Sequence, residues 1–180
     1  MPNWCENRVC VYGDDADVSA FKELVGNLDA EDADQRLFDF NKVLPMPEEM
    51  EGTVAPRAEP DHELIEKFGY DNWYDWRTVN WGTKWNASEV DMIFDEADMV
   101  RFEFATAWGP PIGVYLEIVN RFPNLDVEWF YHEPSCRIAG YLRADEARAS
   151  SSTVAASVNA LNAVSAAERR AAVRVEYPEV

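Results

Sequence analysis

The chain has 180 residues, of which 47% are hydrophobic, so it is long enough to build one sizeable hydrophobic core. Its 16 Lys and Arg residues against 34 Asp and Glu residues leave a net charge of −18, which disfavours direct binding to nucleic acid or to acidic membrane surfaces. No stretch approaches the ~20 consecutive apolar residues of a membrane-spanning helix, and the N-terminus lacks the basic and apolar regions of a signal peptide.

The first part of the chain predicts two strands with a helix between them. Residues 4–12 alternate between two faces as a strand does, with Val9 and Val11 on the same face. Beyond Gly13, a cluster of aspartates favours the start of a helix. The apolar stripe of this helix consists of Val18, Phe21, Leu24, Val25 and Leu28. Residues 37–43 are typical of a short second strand that ends at two prolines.

Residues 48–90 are predicted to be an insertion. Residues 48–61 are rich in Pro, Glu and Gly and predict a surface loop, after which Asp61 is placed to cap a short helix over residues 62–68. Residues 70–86 mix aromatic and polar side chains in no regular period, so we expect an irregular segment folded against the edge of the sheet. The aromatic residues of this segment are Trp73, Tyr74, Trp76, Trp81 and Trp85.

The second part of the chain predicts a strand hairpin, a helix and two further strands. Residues 90–94 and 100–107 form the hairpin, and residues 127–131 and 137–142 form the last two strands. Between them Pro110 and Pro111 favour the start of a helix, because proline is tolerated in the first turn. The apolar stripe of this second helix consists of Ile112, Tyr115, Leu116 and Val119. The order of elements is close to a β-α-β-β-α-β unit with an extra strand, an α+β fold of ferredoxin-like type with an antiparallel sheet.

Three short strings place tryptophan beside polar or turn-forming residues. They are MPNWCENR at residues 1–8, NWGTKW at 80–85 and TAWGPP at 106–111. Together they resemble the YubB-like family of plasmid- and phage-borne proteins over residues 1 to about 144. The resemblance implies a ferredoxin-like domain and a mobile-element setting, and it implies no particular biochemical activity.

Residues 145–180 differ in composition from the rest of the chain. They are rich in Ala, Ser and Val, and Val154, Val158, Leu161 and Ser165 share a thin helical face. We therefore predict a helical C-terminal extension that follows a domain over residues 1–144. Such a helix needs a partner to be stable, either the domain itself or a second chain in a homodimer.

The chain offers no convincing metal or catalytic motif. Cys5, Cys10 and Cys136 are an odd count without C-x-x-C spacing, and His62 and His132 are isolated, which argues against a zinc site and against a disulfide framework. A nucleophile pair of His132 and Cys136 is geometrically feasible across a turn, but a packed thiol beside an unrelated histidine is the favoured interpretation. We expect a cytoplasmic protein that is not an enzyme and that uses no metal or cofactor.

The tryptophan strings leave two interpretations open. Lys84 between two tryptophans is typical of a stacking platform for a base or a sugar. The favoured alternative is a satellite core, in which tryptophans hold the insertion against the sheet and their indole N–H groups bond to the backbone. Asn7 is expected to be buried and bonded to its surroundings. The predicted pocket consists of Trp4, Asn7, Asn80, Trp81, Lys84, Trp85 and Trp108.

RNA binding on the open face of the sheet is disfavoured. RNA-binding modules of this fold stack bases on aromatic side chains of the two central strands. Here that face would carry Trp4, Arg8 and Tyr12 from the first strand, and Arg101 and Glu103 from the later one. Charged residues at the centre make a poor stacking surface.

Three acidic runs form the predicted partner-binding face. They are Asp14, Asp15 and Asp17, then Glu31, Asp32 and Asp34, then Glu48, Glu49 and Glu51. Asp91, Asp95 and Glu96 are expected on an unrelated face. Closely spaced carboxylates can imitate the phosphates of a duplex, and they can equally be a solvated surface or an adaptation to salt.

The predicted function is that of a non-catalytic interaction protein of a mobile element. Its acidic face would bind a basic groove of a host protein that handles nucleic acid, as an inhibitor of CRISPR or restriction systems would. The alternative is a small-molecule or nucleotide-binding domain, with or without enzymatic activity, whose pocket is lined by the tryptophans.

Overall fold

The computed structural model of the chain describes residues 3–57 and 59–143. Its five strands form one antiparallel sheet in the order β2-β3-β1-β4-β5. The strands are β1 (Trp4–Tyr12), β2 (Ser88–Asp95), β3 (Met99–Ala107), β4 (Asp126–Glu133) and β5 (Ile138–Leu142). The helices are α1 (Asp15–Val25), α2 (Ala33–Leu37), α3 (Phe40–Val43), α4 (His62–Phe68), α5 (Trp73–Asn80) and α6 (Ile112–Arg121).

This order of strands is that of a ferredoxin-like α+β domain. Helix α1 follows β1 and helix α6 follows β3, which gives the β-α-β-β-α-β arrangement, and β5 adds one strand beside β4. The predicted fold class is therefore confirmed. The predicted first strand, hairpin, second helix and last two strands are confirmed as well, within a few residues at their ends.

The core lies between the sheet and the helices. Alternate residues of β1 and β3, such as Val9 and Phe102, are buried, while their neighbours point to the outer face of the sheet. Phe38 packs edge-to-face on Phe102, with ring centroids 5.2 Å apart, and Trp129 of β4 is fully buried beside it. This aromatic packing fixes which face of each strand is turned inward.

Two predictions about the first part of the chain are wrong. Residues 37–43 form no strand, because the carboxylate of Asp39 accepts the N–H of Asn41 at 2.9 Å and begins the short helix α3. Leu28 does not belong to the buried stripe of α1, because that helix ends at Val25 and Leu28 is 87% exposed.

The insertion is more regular than its sequence predicts. Residues 70–86 contain the helix α5, whose start is capped by Asn72, the acceptor of the Asp75 N–H at 2.9 Å. Trp76 and Trp81 are buried in the main core, and α5 packs against α6. The predicted cap of α4 by Asp61 is confirmed.

The predicted C-terminal extension lies outside the described residues. Within them, no helix is long and apolar enough to cross a membrane.

Candidate functional site

The start of α1 and the turn between β2 and β3 bring two acidic segments together. The N–H of Gly13 donates to the carbonyl O of Asp98 at 3.1 Å. The Nζ of Lys22 on α1 donates to Oδ1 of Asp95 at 2.7 Å and lies 3.4 Å from the carbonyl O of Glu96. The aspartates at the start of α1 therefore lie next to the acids of the β2–β3 turn.

A second acidic run reaches β2 from α2. The carboxylate of Asp34 accepts the backbone N–H groups of Glu89 and Val90, at 2.8 and 2.9 Å. Asp32 caps α2 by accepting the N–H of Asp34 at 2.9 Å. The carboxylates of Asp32 and Asp34 therefore stabilise the fold, while Glu31 between the two helices is exposed. The partner-binding role predicted for this run stays a prediction.

The third acidic run belongs to the insertion. Glu49 forms an ion pair with Lys67, and this hydrogen bond lowers the pKa of Glu49 below its usual value. Glu51 lies close enough to Arg77 for its charge to act on that guanidinium. In the described part of the chain, no hydrogen bond or ion pair links residues 48–51 to β2, and the ion pair of this run is with α4 of the insertion.

The acids of β2 and of the turn that follows it thus lie beside two other acidic segments, one at the start of α1 and one before α2. We call this set the acidic rim. It consists of Asp14, Asp15, Asp17, Glu31, Glu89, Asp91, Asp95, Glu96 and Asp98. The prediction that Asp91, Asp95 and Glu96 lie on an unrelated face is wrong. Their place beside the other acids depends on strand pairing, which the charge pattern alone does not reveal.

Four residues of the predicted pocket meet at the surface, and we call them the tryptophan cluster: Trp4, Lys84, Trp85 and Trp108. The Nζ of Lys84 lies 3.8 Å from the ring centroid of Trp85 and 4.2 Å from that of Trp108. The rings of Trp4 and Trp85 have centroids 5.9 Å apart. All three indoles are 37–42% exposed, and Trp108 holds a left-handed φ of 70° that few non-glycine residues adopt.

The other three residues predicted for the pocket lie elsewhere. Asn7 is buried, donates to Oγ1 of Thr106 at 2.8 Å and accepts the indole N–H of Trp129 at 3.1 Å. Trp81 is 1% exposed and donates its indole N–H to the carbonyl O of Leu44 at 2.8 Å. Asn80 bonds back to its own helix. The hydrogen bonds of these three residues lie within the core and α5.

The surroundings of Cys5 and Cys136 favour the protonated thiol. His132 lies 3.4 Å from the carboxylate of Glu6, whereas Cys136 bonds to Glu133, which raises the pKa of Cys136 above its ordinary value. Burial raises the pKa of Cys5 to about 11. Across residues 3–57 and 59–143, no three His, Cys, Asp or Glu side chains are grouped so that they could hold a metal ion.

Ion pairs occupy the centre of the outer face of the sheet. Nε of Arg8 lies 3.0 Å from Oε1 of Glu103, and Arg101 pairs with the same carboxylate. The charged side chains lie on the strands that would have to stack bases, so this face is a poor platform for RNA.

Two comparisons with known proteins agree with this fold. A family model described as the ferredoxin-like domain in Api92-like protein matches residues 80–168. A crystal structure of the protein api92 from Yersinia pseudotuberculosis is similar with a TM-score of 0.51 at 12% sequence identity, over 78% of this chain and 93% of that chain. No curated protein matches the chain. At this identity the structural likeness shows the fold alone, while the match to the family model supports a ferredoxin-like family.

Proposed function

We propose that the chain is a non-catalytic interaction protein whose acidic rim binds a basic groove on a protein that handles nucleic acid. The observation that supports this is that the acidic segments at the start of α1 and before α2 lie beside the acids of β2 and its following turn, with Lys22 already paired to Asp95. A net charge of −18 adds a long-range field that attracts basic surfaces and repels phosphate backbones.

The carboxylates of the rim take the place of phosphates in the partner's groove. A protein that grips DNA through Lys and Arg side chains would then be blocked, because the chain and the nucleic acid compete for the same cations. The resemblance to plasmid- and phage-borne proteins supports a mobile-element setting for this activity, in the cytoplasm of the host. The partner would be a defence protein, so the chain acts as a DNA mimic of the anti-CRISPR or anti-restriction kind.

The test is capture of host proteins on the immobilised full chain, followed by elution with duplex DNA. One variant reverses one charge in each rim segment: Asp14→Lys, Glu31→Lys and Glu96→Lys. A matched control makes the same change in net charge away from the rim: Glu63→Lys and Glu66→Lys on α4, and Glu128→Lys on β4. All six side chains are exposed, so both variants are expected to fold.

We expect the wild type and the control to retain proteins that duplex DNA displaces and that high salt releases. The rim variant should lose those proteins. Equal capture by both variants would contradict the proposal and leave the acidity as a solvation property of the surface.

One observation favours a second candidate function. Lys84 holds a cation against two exposed indoles beside Trp4, an arrangement that offers both a charge and flat rings to an anionic aromatic ligand such as a nucleotide. Titration with adenosine monophosphate should then quench tryptophan fluorescence in the wild type and not in a Lys84→Met variant. Unchanged fluorescence in the wild type would remove this candidate.

A further inference from the structure

Strand β2 is an outer strand of the sheet and is open along part of its length. In the described residues it pairs with β3 on one side, and no strand is paired to its other side. Residues 91–95 are all exposed, including the consecutive apolar residues Met92, Ile93 and Phe94 at 37, 44 and 47%. An edge strand of this kind presents backbone N–H and C=O groups to any chain that can pair with it.

The first residues of β2 are closed by the protein itself. Asp34 accepts the backbone N–H groups of Glu89 and Val90, at 2.8 and 2.9 Å, where the pairing with β3 shifts register between Ser88 and Asp91. The carboxylate takes the place of a neighbouring strand at these two residues. The open part of the edge is therefore limited to residues 91–95.

The charges around this open part select the strand that can pair with it. Between residues 89 and 98 there are five acidic residues and no Lys or Arg. Antiparallel pairing with a second copy of the chain, centred on Ile93, would set Asp91 opposite Asp95 of the copy, and like charges directly opposite are destabilising. A strand that carries Lys or Arg at the same positions would make opposite-charge pairs instead.

We propose that residues 91–95 accept an extended basic segment of the partner as a sixth strand of the sheet. The main-chain bonds supply affinity, the apolar residues of the segment pack along Met92, Ile93 and Phe94, and the acids of the rim select for Lys and Arg. This inference rests on the proposed function. It identifies residues 91–95 as the part of the acidic rim that contacts the partner, and an extended basic segment as the part of the partner that binds there.

The test uses the full chain and a capped nonapeptide of alternating lysine and valine as the probe. Binding is measured by fluorescence anisotropy of the labelled peptide, and backbone hydrogen exchange is followed with and without it. We expect the peptide to bind and to slow exchange at residues 91–95. A peptide with the central valine replaced by proline keeps its charge and cannot complete the strand, so it should bind about tenfold more weakly.

Two variants of the chain separate backbone pairing from charge. Ile93 has no partner residue in the β2–β3 register, which shifts there between Met92 and Phe94. Proline is found at such irregularities of edge strands, so Ile93→Pro should abolish the slowed exchange. Asp91→Lys with Glu96→Lys should weaken binding by about tenfold, since two exposed charge pairs become repulsive. The matched control, Glu63→Lys with Glu66→Lys, makes the same charge change on α4 of the insertion and should bind as the wild type does.

The outcomes also separate this inference from the proposed function. If the proline-containing peptide binds as tightly as the parent peptide, and exchange at residues 91–95 does not slow, strand addition is wrong. The proposed function then still stands if the three-segment reversal abolishes capture of host proteins. If the alternating peptide fails to bind at all, strand addition is also wrong, whether or not Ile93→Pro folds.

Discussion

The backbone N–H of Gly113 donates to the carbonyl O of Trp81 at 3.1 Å, which joins the end of α5 to the first turn of α6. The approach is so close that a Cβ added at Gly113 would lie 2.8 Å from the carbonyl carbon of Asn80 and would collide with its oxygen. The string NWGTKW and the helix that follows the string TAWGPP thus meet backbone to backbone.

Gly113→Ala should destabilise the domain. The new methyl group meets backbone that cannot move without shifting α5, so we expect a loss of about 3 kcal/mol in the free energy of unfolding. Chemical denaturation monitored by tryptophan fluorescence measures this. Gly109→Ala is the matched control, because a Cβ there meets no atom within 4 Å. Equal stability of the two variants would show that the contact is looser than described.

Asn7→Ala should be strongly destabilising as well. The amide of Asn7 joins the indole N–H of Trp129 to the hydroxyl of Thr106 inside the core. Its removal leaves a buried indole donor unsatisfied, so we expect a loss of about 3 kcal/mol in a thermal or urea melt. Arg8→Ala, one residue away in an exposed ion pair with Glu103, should cost less than about 1 kcal/mol. A small effect of Asn7→Ala would mean that the core rearranges to satisfy Trp129.

The sheet could largely be predicted from the sequence because most of its strands alternate between a buried and an open face. Residues 37–43 could not, because Phe38 and Phe40 fit the spacing of a strand as well as that of two short helices. What decides between them is distant in sequence. Asp39 accepts hydrogen bonds from Asn27 and Asn86, and these contacts form only in the folded domain.

That one error hides the candidate site. In this fold the second strand along the chain is an outer strand of the sheet. If residues 37–43 are taken as that strand, residues 88–95 are no longer expected at the edge. The number of acids is evident from the sequence, but their convergence depends on which strand lies outermost. In the same way, sequence spacing does not show that Trp81 is buried and Trp85 exposed. In the structure Trp81 bonds to the carbonyl O of Leu44 in the core, whereas Trp85 contacts Lys84 at the surface.

Asp34→Ala should loosen the start of β2. Loss of two hydrogen bonds to backbone N–H groups should cost about 1 to 3 kcal/mol, and amide exchange at Glu89 and Val90 should become faster. Glu31→Ala removes a carboxylate of the same run from an exposed site and should leave both stability and exchange unchanged. If Glu31→Ala were as destabilising as Asp34→Ala, the run would act through its summed charge and not through the bonds to β2.

Glu133 should control the reactivity of Cys136. The pKa of this exposed thiol is raised by its hydrogen bond to Glu133, so at a given pH less of it is thiolate and its alkylation is slower than that of an ordinary cysteine. Glu133→Gln removes the negative charge, lowers the pKa of Cys136 and should speed alkylation by iodoacetamide roughly threefold to tenfold near pH 8.

Mass spectrometry of each cysteine between about pH 7 and pH 10 measures how the alkylation rate depends on pH, and the rise for Cys136 should move to lower pH in the variant. Cys5, whose pKa burial raises to about 11, should stay unmodified in both proteins and serves as the internal control. An identical Cys136 profile in the wild type and the variant would show that Glu133 holds only the backbone of the turn, through the N–H groups of Ser135 and Cys136, and leaves the thiol unaffected.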